Sequence, residues 1–415
     1  MPGVPIRPKS QHQPKSQYVV AGPTGPSPTP PEARQARAVL PDPASEHQRN
    51  TRIPMKMCSP KIRRFVHLIV DDLKSGAGGY YSLRNIDVQP LFAASAAASS
   101  RTKMRATRPP RQAASFEFAK KENHMEFFLL GSRIVGVSKN RHTVMYDTST
   151  NAFRAGPDLR HGKFIQPAWA AVRGRLYLAD VVPLGHGEPC FESLRFDDGA
   201  LQDWVWDLLP SPPFFDGTPC GIGNIIRSYA AGDGDTIWLS TLKGTYTFHA
   251  GTATWRKEGD WTLPFDGRAQ YVPDYGLYFG FTTKRPSRLC SAELVAGARA
   301  PQPPAHRDVW CDVDGYTGTV DDEWPDIDLD AYGAGDGWRL ARSYLTCLGG
   351  GRFCVTRFYD TTHDQEEDFG GSCNVAVITA VEARLDDPST GGLRMVKGAS
   401  RCYKFSDHTS YGWAL

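Results

Sequence analysis

The sequence runs to 415 residues, 40% of them hydrophobic, with 48 Lys and Arg against 45 Asp and Glu. A formal net charge of +3 gives no global field for gripping nucleic acid or an anionic membrane, and the apolar content excludes wholesale disorder. No apolar run approaches the roughly 18 residues of a membrane span and no secretory apolar segment opens the chain, while 40 Gly and 32 Pro predict many turns and hence a β-rich fold.

Residues 1–60 differ from the rest. Pro23, Pro26, Pro28, Pro30 and Pro31 are only part of a proline series that interrupts any helix or strand, and apolar periodicity is missing. A disordered tail is expected there. Residues 1–64 hold eleven Lys and Arg against Glu32, Asp42 and Glu46, a net of +8 that leaves −5 for the remainder. A flexible tail, an organelle transit peptide, and an upstream extension ahead of a start at Met55 or Met57 all fit this composition.

Folded sequence begins at Lys61 or Ile62. The runs IRRFVHLIVDD (62–72) and YYSLRNIDV (80–88) flank a glycine-rich turn and predict a β-hairpin. Residues 93–115 are Ala/Ser-rich and basic, carrying Arg101, Lys103, Arg105, Arg108 and Arg111, and read as a linker or long surface loop.

Self-similarity follows. YDTSTNAF begins at Tyr146, FDDGALQDW at Phe196 and FHAGTATW at Phe248, so the leading aromatics are 50 and 52 residues apart. Each is preceded by a short strand-like run: RIVGVS (133–138), RLYLAD (175–180) and TIWLST (236–241), with GLYFGF (276–281) as a further start. A unit of about 50 residues made of short strands is the signature of a kelch-type propeller. One such sheet cannot cover both its faces, whereas sheets stacked round an axis cover one another. The leading aromatics should pack between blades, and Asp147, Asp197 and His249 should serve the turns that follow. The expected fold is all-β, a kelch-like β-propeller of about six or seven blades over residues 61–415. A β-sandwich with accidental self-similarity is the competing reading. Ring closure by strands from both chain ends would remove the exposed sheet edge, with 62–88 and the runs at 394–407 as candidates.

The opening KIRRFVHLIVDD…YYSLRNIDV, the Ala-rich spacer, TKMRATRPPRQAASFEF and the YDTSTN-like turn resemble the plant domain-of-unknown-function 1668 family, which is expanded in grasses. The resemblance runs from about Lys61 to the C-terminus. It implies a kelch-like propeller and a start near Met55 or Met57, and brings no activity or catalytic residue.

The nine cysteines include no CxxC pair and read as reduced thiols of an intracellular protein, cytoplasmic or nuclear, with organelle targeting by the tail left open. The Gly221 and Gly333 regions lack the strand–turn–helix context of a phosphate loop, no nucleophile elbow is present, and the histidines are scattered singly. No cofactor and no metal are expected. From Asp312 to Asp336 nine carboxylates occur without a Lys or Arg. The frame at Asp326, Asp328 and Asp330 fails as a calcium loop, because Ala331 stands where Gly is needed. This segment, 312–336, is expected to be a solvated acidic loop. Its aromatics Trp324 and Tyr332, with Asp326, Asp328 and Asp330, are the candidate partner-binding residues. A non-enzymatic protein-interaction module, monomeric and off the membrane, is the expected function. A hydrolase or lyase with its site in the propeller channel is the alternative, and nucleic-acid contact through residues 101–121 is disfavoured.

Overall fold

The computed structural model describes residues 62–71, 80–93, 106–117, 124–163, 166–182, 190–215, 221–232, 234–283, 288–298, 302–310, 339–360, 373–387, 392–406 and 409–415. The chain divides into two units at Lys56/Met57, and all described residues belong to the second. The expectations for residues 1–60, for the glycine turn at 76–79 and for the acidic segment lie outside the described residues.

The described residues are nearly all β, with one short helix. In chain order they begin with β1 (Phe65–Asp71) and β2 (Tyr80–Asp87), paired antiparallel as the hairpin expectation required, then α1 (Gln89–Ala93), β3 (Ala106–Thr107) and β4 (Ala114–Glu117). Four antiparallel groups follow: β5 (Met125–Leu130) to β8 (Ala152–Ala155) through β6 (Arg133–Ser138) and β7 (Thr143–Asp147); β9 (Ala168–Val172) to β12 (Asp203–Leu208) through β10 (Arg175–Ala179) and β11 (Phe191–Asp197); β13 (Ser228–Ala231) to β16 (Thr254–Gly259) through β14 (Thr236–Thr241) and β15 (Gly244–His249); and β17 (Phe265–Val272) to β20 (His306–Trp310) through β18 (Leu277–Thr282) and β19 (Leu289–Ala292). The longest strands come next, β21 (Arg339–Gly349), β22 (Arg352–Asp360), β23 (Val375–Asp387) and β24 (Gly392–Lys404), and the series ends at β25 (Gly412–Ala414).

Sheet order makes the arrangement plain. Each of the five groups in sequence is a consecutive four-strand meander, and the sixth among the described residues is composite, ordered β25-β1-β2-β4. The third and fourth are joined edge to edge by a parallel pairing of their first strands, β13 with β17. First strands neighbour one another in order: β5 with β9, β9 with β13, β17 with β21, and β21 with β25. The indole of Trp413 on β25 then donates to Glu126 on β5 at 2.9 Å, which brings the series back to its start.

Core packing repeats the same cycle. Phe128 and Val135 of the β5–β8 sheet pack with Leu176 and Trp206 of the next. Tyr177 and Phe191 pack with Ile237 and Phe248, and Trp238 with Phe265 and Tyr278. Phe279 and Phe281 pack with Phe353 and Val355, Phe358 and Ile378 with Leu68 and Ile86, and Tyr81 and Trp413 with Phe127 and Tyr146. Every sheet therefore covers its apolar faces on two neighbours, and the molecule is a β-propeller.

The repeat is visible at atomic detail. The four strand-like runs are β6, β10, β14 and β18, each the second strand of its sheet. Tyr146, Phe196 and Phe248 sit directly opposite Phe153, Trp204 and Trp255, with ring centroids 4.8, 5.5 and 4.9 Å apart. The turns are served as expected: Asp147 accepts from the Ser149 amide at 2.9 Å, Asp197 from the Leu201 amide at 3.1 Å and His249 Nδ1 from the Thr252 amide at 3.2 Å. Tyr146 and Phe248 are buried between sheets, but Phe196 is 39% exposed. Its cross-strand partner Trp204 takes the interior place there, with the Arg133 guanidinium over its ring.

Two other expectations change. The stretch 93–115 is not all loop: Ala106–Thr107 runs parallel to β24, and Ala114–Glu117 adds to β2 because its alternation buries Phe116. Closure of the ring uses Gly412–Ala414 against β1, whereas the 394–404 run is the outer strand β24 of its own sheet. The terminal residues win the inner position because Trp413 and Leu415 carry large apolar side chains into the core.

Candidate functional site

The first strands follow one another around the ring, and several large side chains on them are only half-buried. Trp169 (β9), Tyr229 (β13), Arg268 and Gln270 (β17), and Arg342 and Tyr344 (β21) are of this kind, with Tyr411 just ahead of β25. The parallel pairing sets Tyr229 opposite Arg268.

Arg342 is well partnered. Its guanidinium lies 5.0 Å from the Tyr411 ring centroid and 5.8 Å from that of Trp413. Gln166, with its amide oxygen turned inward, accepts from Arg342 Nη2 at 2.7 Å. Burial works against this cation, yet Tyr344 and the Glu126 carboxylate outweigh it and raise its proton affinity. Glu126 itself is buried, accepting from Trp413 and facing His124 Nε2 at 2.9 Å. The Tyr344 hydroxyl donates to the Gly412 carbonyl at 2.9 Å, and burial pushes its phenol well above the usual range.

Arg268 is different. Its guanidinium stacks 3.6 Å from the centroid of the Trp169 ring, and burial pushes it down to about 10, which still leaves it charged at neutral pH. Burial likewise pushes the Tyr229 phenol up to about 12, so that hydroxyl stays protonated and able to donate. Next to Arg268, Gln270 spends its amide on β21, donating to the Leu345 carbonyl and accepting from the Cys347 amide at 2.8 Å. Chemically, the axis offers cations on aromatic faces and neutral phenols: a recognition surface for a planar or anionic group.

Residues 63–403 match the family model described as "Protein of unknown function (DUF1668)". The chain belongs to that family. No curated protein matches it by sequence. Among solved structures, the DUF1668 chain is similar to the β-propeller domain of Cps50 (Swd1) from Myceliophteria thermophila at 10% identity, with a TM-score of 0.38, covering 82% of this chain and 87% of that one. It is similar to apo AztD from Citrobacter koseri at 9% identity, TM-score 0.35, over 85% of this chain and 98% of that one. An auxiliary nutrient binding protein from Bacteroides ovatus matches at 9% identity, TM-score 0.39, over 83% and 69%.

Trp324, Asp326, Asp328, Asp330 and Tyr332, the residues picked out from sequence, fall between β20 and β21 in the sequence and lie outside the described residues. Of the basic run, Arg108 and Arg111 are described and exposed. A cleft of about 270 Å³ away from the axis is lined by Trp238, Trp261, Pro303 and Glu258 among others, but Glu258 is already occupied by Thr247, Arg256 and the Gly297 amide. The axial residues escaped sequence reading because Trp169, Tyr229 and Arg268 come from three strands far apart in sequence, β9, β13 and β17. One signal was available: in FDGRAQYV (265–272) a lone arginine stands between Gly267 and Ala269.

Among the described residues, no helix is long and apolar enough to cross a membrane.

Proposed function

We propose that this protein is a non-enzymatic interaction module, a kelch-like propeller of six blades that receives a protein partner at its channel. The observation that supports this reading is the residue set at the axis. Trp169, Tyr229, Tyr344 and Tyr411 are half-buried there beside Arg268 and Arg342, and Trp, Tyr and Arg are the side chains that carry most interface energy when a partner desolvates them. The six groups of strands favour six blades within the six-to-seven expected from the repeat length. The described cysteines are free thiols, mostly buried, which suits a reducing intracellular compartment and a monomeric chain with no disulfide to another. For the hydrolase or lyase alternative, His124 and Glu126 are one candidate acid–base pair, and that carboxylate is already held by Trp413.

The test is capture on the immobilised full chain from a native lysate, comparing wild type with Trp169→Ala and Tyr411→Ala, and with Phe153→Ala at the exposed outer strand as control. A protein retained by wild type and Phe153→Ala but lost from both axial variants is the expected result. Equal retention by all four chains overturns the proposal.

A further inference from the structure

The two axial arginines have opposite surroundings. Arg342 has an amide oxygen, a phenol, two aromatic faces and the field of Glu126. Among the described residues the Arg268 side chain has no hydrogen bond and no ion pair, and its Nε is shut off from solvent without an acceptor. Stacking on Trp169 uses the flat face of the guanidinium and leaves its in-plane N–H donors unspent. Among the described residues, the groups that act on Arg268 are Tyr229, Cys347 and another cation, Arg63, with no carboxylate among them. Arg63 spends its own donors on the Leu415 and Phe65 oxygens. The Tyr229 hydroxyl, opposite Arg268 in register, also makes no hydrogen bond among the described residues.

An enclosed guanidinium without an anion is costly, and chains keep such a group where binding repays the lost stability. We propose that Arg268 is the binding site of a compact oxyanion, a carboxylate or phosphate group entering the channel, held bidentately by the guanidinium with the Tyr229 hydroxyl as a further donor. Trp169 fixes the plane of the guanidinium, so the fork is oriented before the ligand arrives. The inference rests on the reading of the channel as a binding face. The oxyanion is either a free small molecule or the acidic side chain of a bound polypeptide.

The experiment uses the full chain as wild type, Arg268→Met, and Arg268→Lys, titrated calorimetrically with inorganic phosphate and separately with a hexaglutamate peptide. Chloride at matched ionic strength is the reference, and melting is followed in parallel. Wild type is expected to bind at least one probe saturably. Binding should weaken by about tenfold or more in Arg268→Met and partly in Arg268→Lys, which keeps the charge and loses the fork. In chloride alone Arg268→Met should melt at the same temperature as wild type or higher, because the substitution removes an unpaired charge. Hexaglutamate binding identifies a polypeptide source, and phosphate binding alone a small-molecule one. A non-saturating response equal in all three chains overturns the proposal. So does a lower melting temperature of Arg268→Met in chloride joined to unchanged anion binding. Partner capture that fails for Trp169→Ala but persists in Arg268→Met and in saturating phosphate would sink the anion site while leaving the interaction reading standing. Saturable anion binding without any captured protein would do the reverse.

Discussion

At the scale of single residues, the repeat is conserved within the chain as backbone geometry more than as side-chain chemistry. Asn151, Gln202 and Ala253 each stand two positions before the second aromatic of their copy, and all three have left-handed backbone, with φ of 55, 50 and 53°. Asn151 and Gln202 share a carboxamide that Ala253 lacks, so no single residue type marks the position in sequence. An L residue other than glycine in that region costs roughly 1–2 kcal/mol, with Asn paying least because it tolerates the conformation. Ala253 has neither the freedom of glycine nor a side chain able to bond locally, and it is exposed. Ala253→Gly is therefore expected to stabilise the protein by about 0.5–1 kcal/mol, the strain relieved outweighing the added freedom of the unfolded chain. Urea titration of the full chain measures it; a loss of stability would show that this turn is unstrained.

At the scale of elements, two junctions between neighbouring first strands are joined by different devices. β13 and β17 pair through backbone. Between β17 and β21 the side chain of Gln270 takes that role, one amide meeting a carbonyl and an N–H of the facing strand, as a strand would. Gln270→Ala removes both bonds and leaves partly buried backbone groups unmet, so a cost of about 1–3 kcal/mol is expected by chemical denaturation. Gln270→Glu should also destabilise, because a carboxylate cannot donate to the Leu345 carbonyl. If either variant matches wild type, water substitutes for the amide and the junction rests on apolar packing alone. The same contrast explains what could be read in advance. The second strands were legible since runs such as RIVGVS and TIWLST carry consecutive apolar residues and are buried from their second residue on. The first strands carry the candidate site and were not legible as such: SYAA (228–231) and AWAAV (168–172) are short and built of small residues around one large one. Their meaning comes from neighbours more than 30 residues away in sequence, which no local pattern encodes.

At the scale of the whole molecule, closure concentrates stability in a few residues. Trp413 and Leu415 are buried between the first and last sheets, and Trp413 is bonded to Glu126. The adjoining backbone pairs with β1, including Leu415 and His67 in both directions. Burying two large apolar side chains contributes about 3–6 kcal/mol, a substantial part of the roughly 5–15 kcal/mol that holds a domain folded. Gly412 must stay small, since a Cβ there would run into the Phe358 ring. Deleting residues 412–415 should thus lower the melting temperature by more than any single substitution discussed above, and should leave β1 with an open edge. An open edge accepts a strand in trans, so a synthetic peptide spanning 409–415 is expected to restore part of the lost stability, and the same peptide with Trp413→Ala to restore little. Thermal melts of the truncated chain with each peptide decide it. Equal rescue by both peptides would mean that backbone pairing alone closes the ring; no rescue by either would mean that the edge of β1 rearranges once its partner is gone.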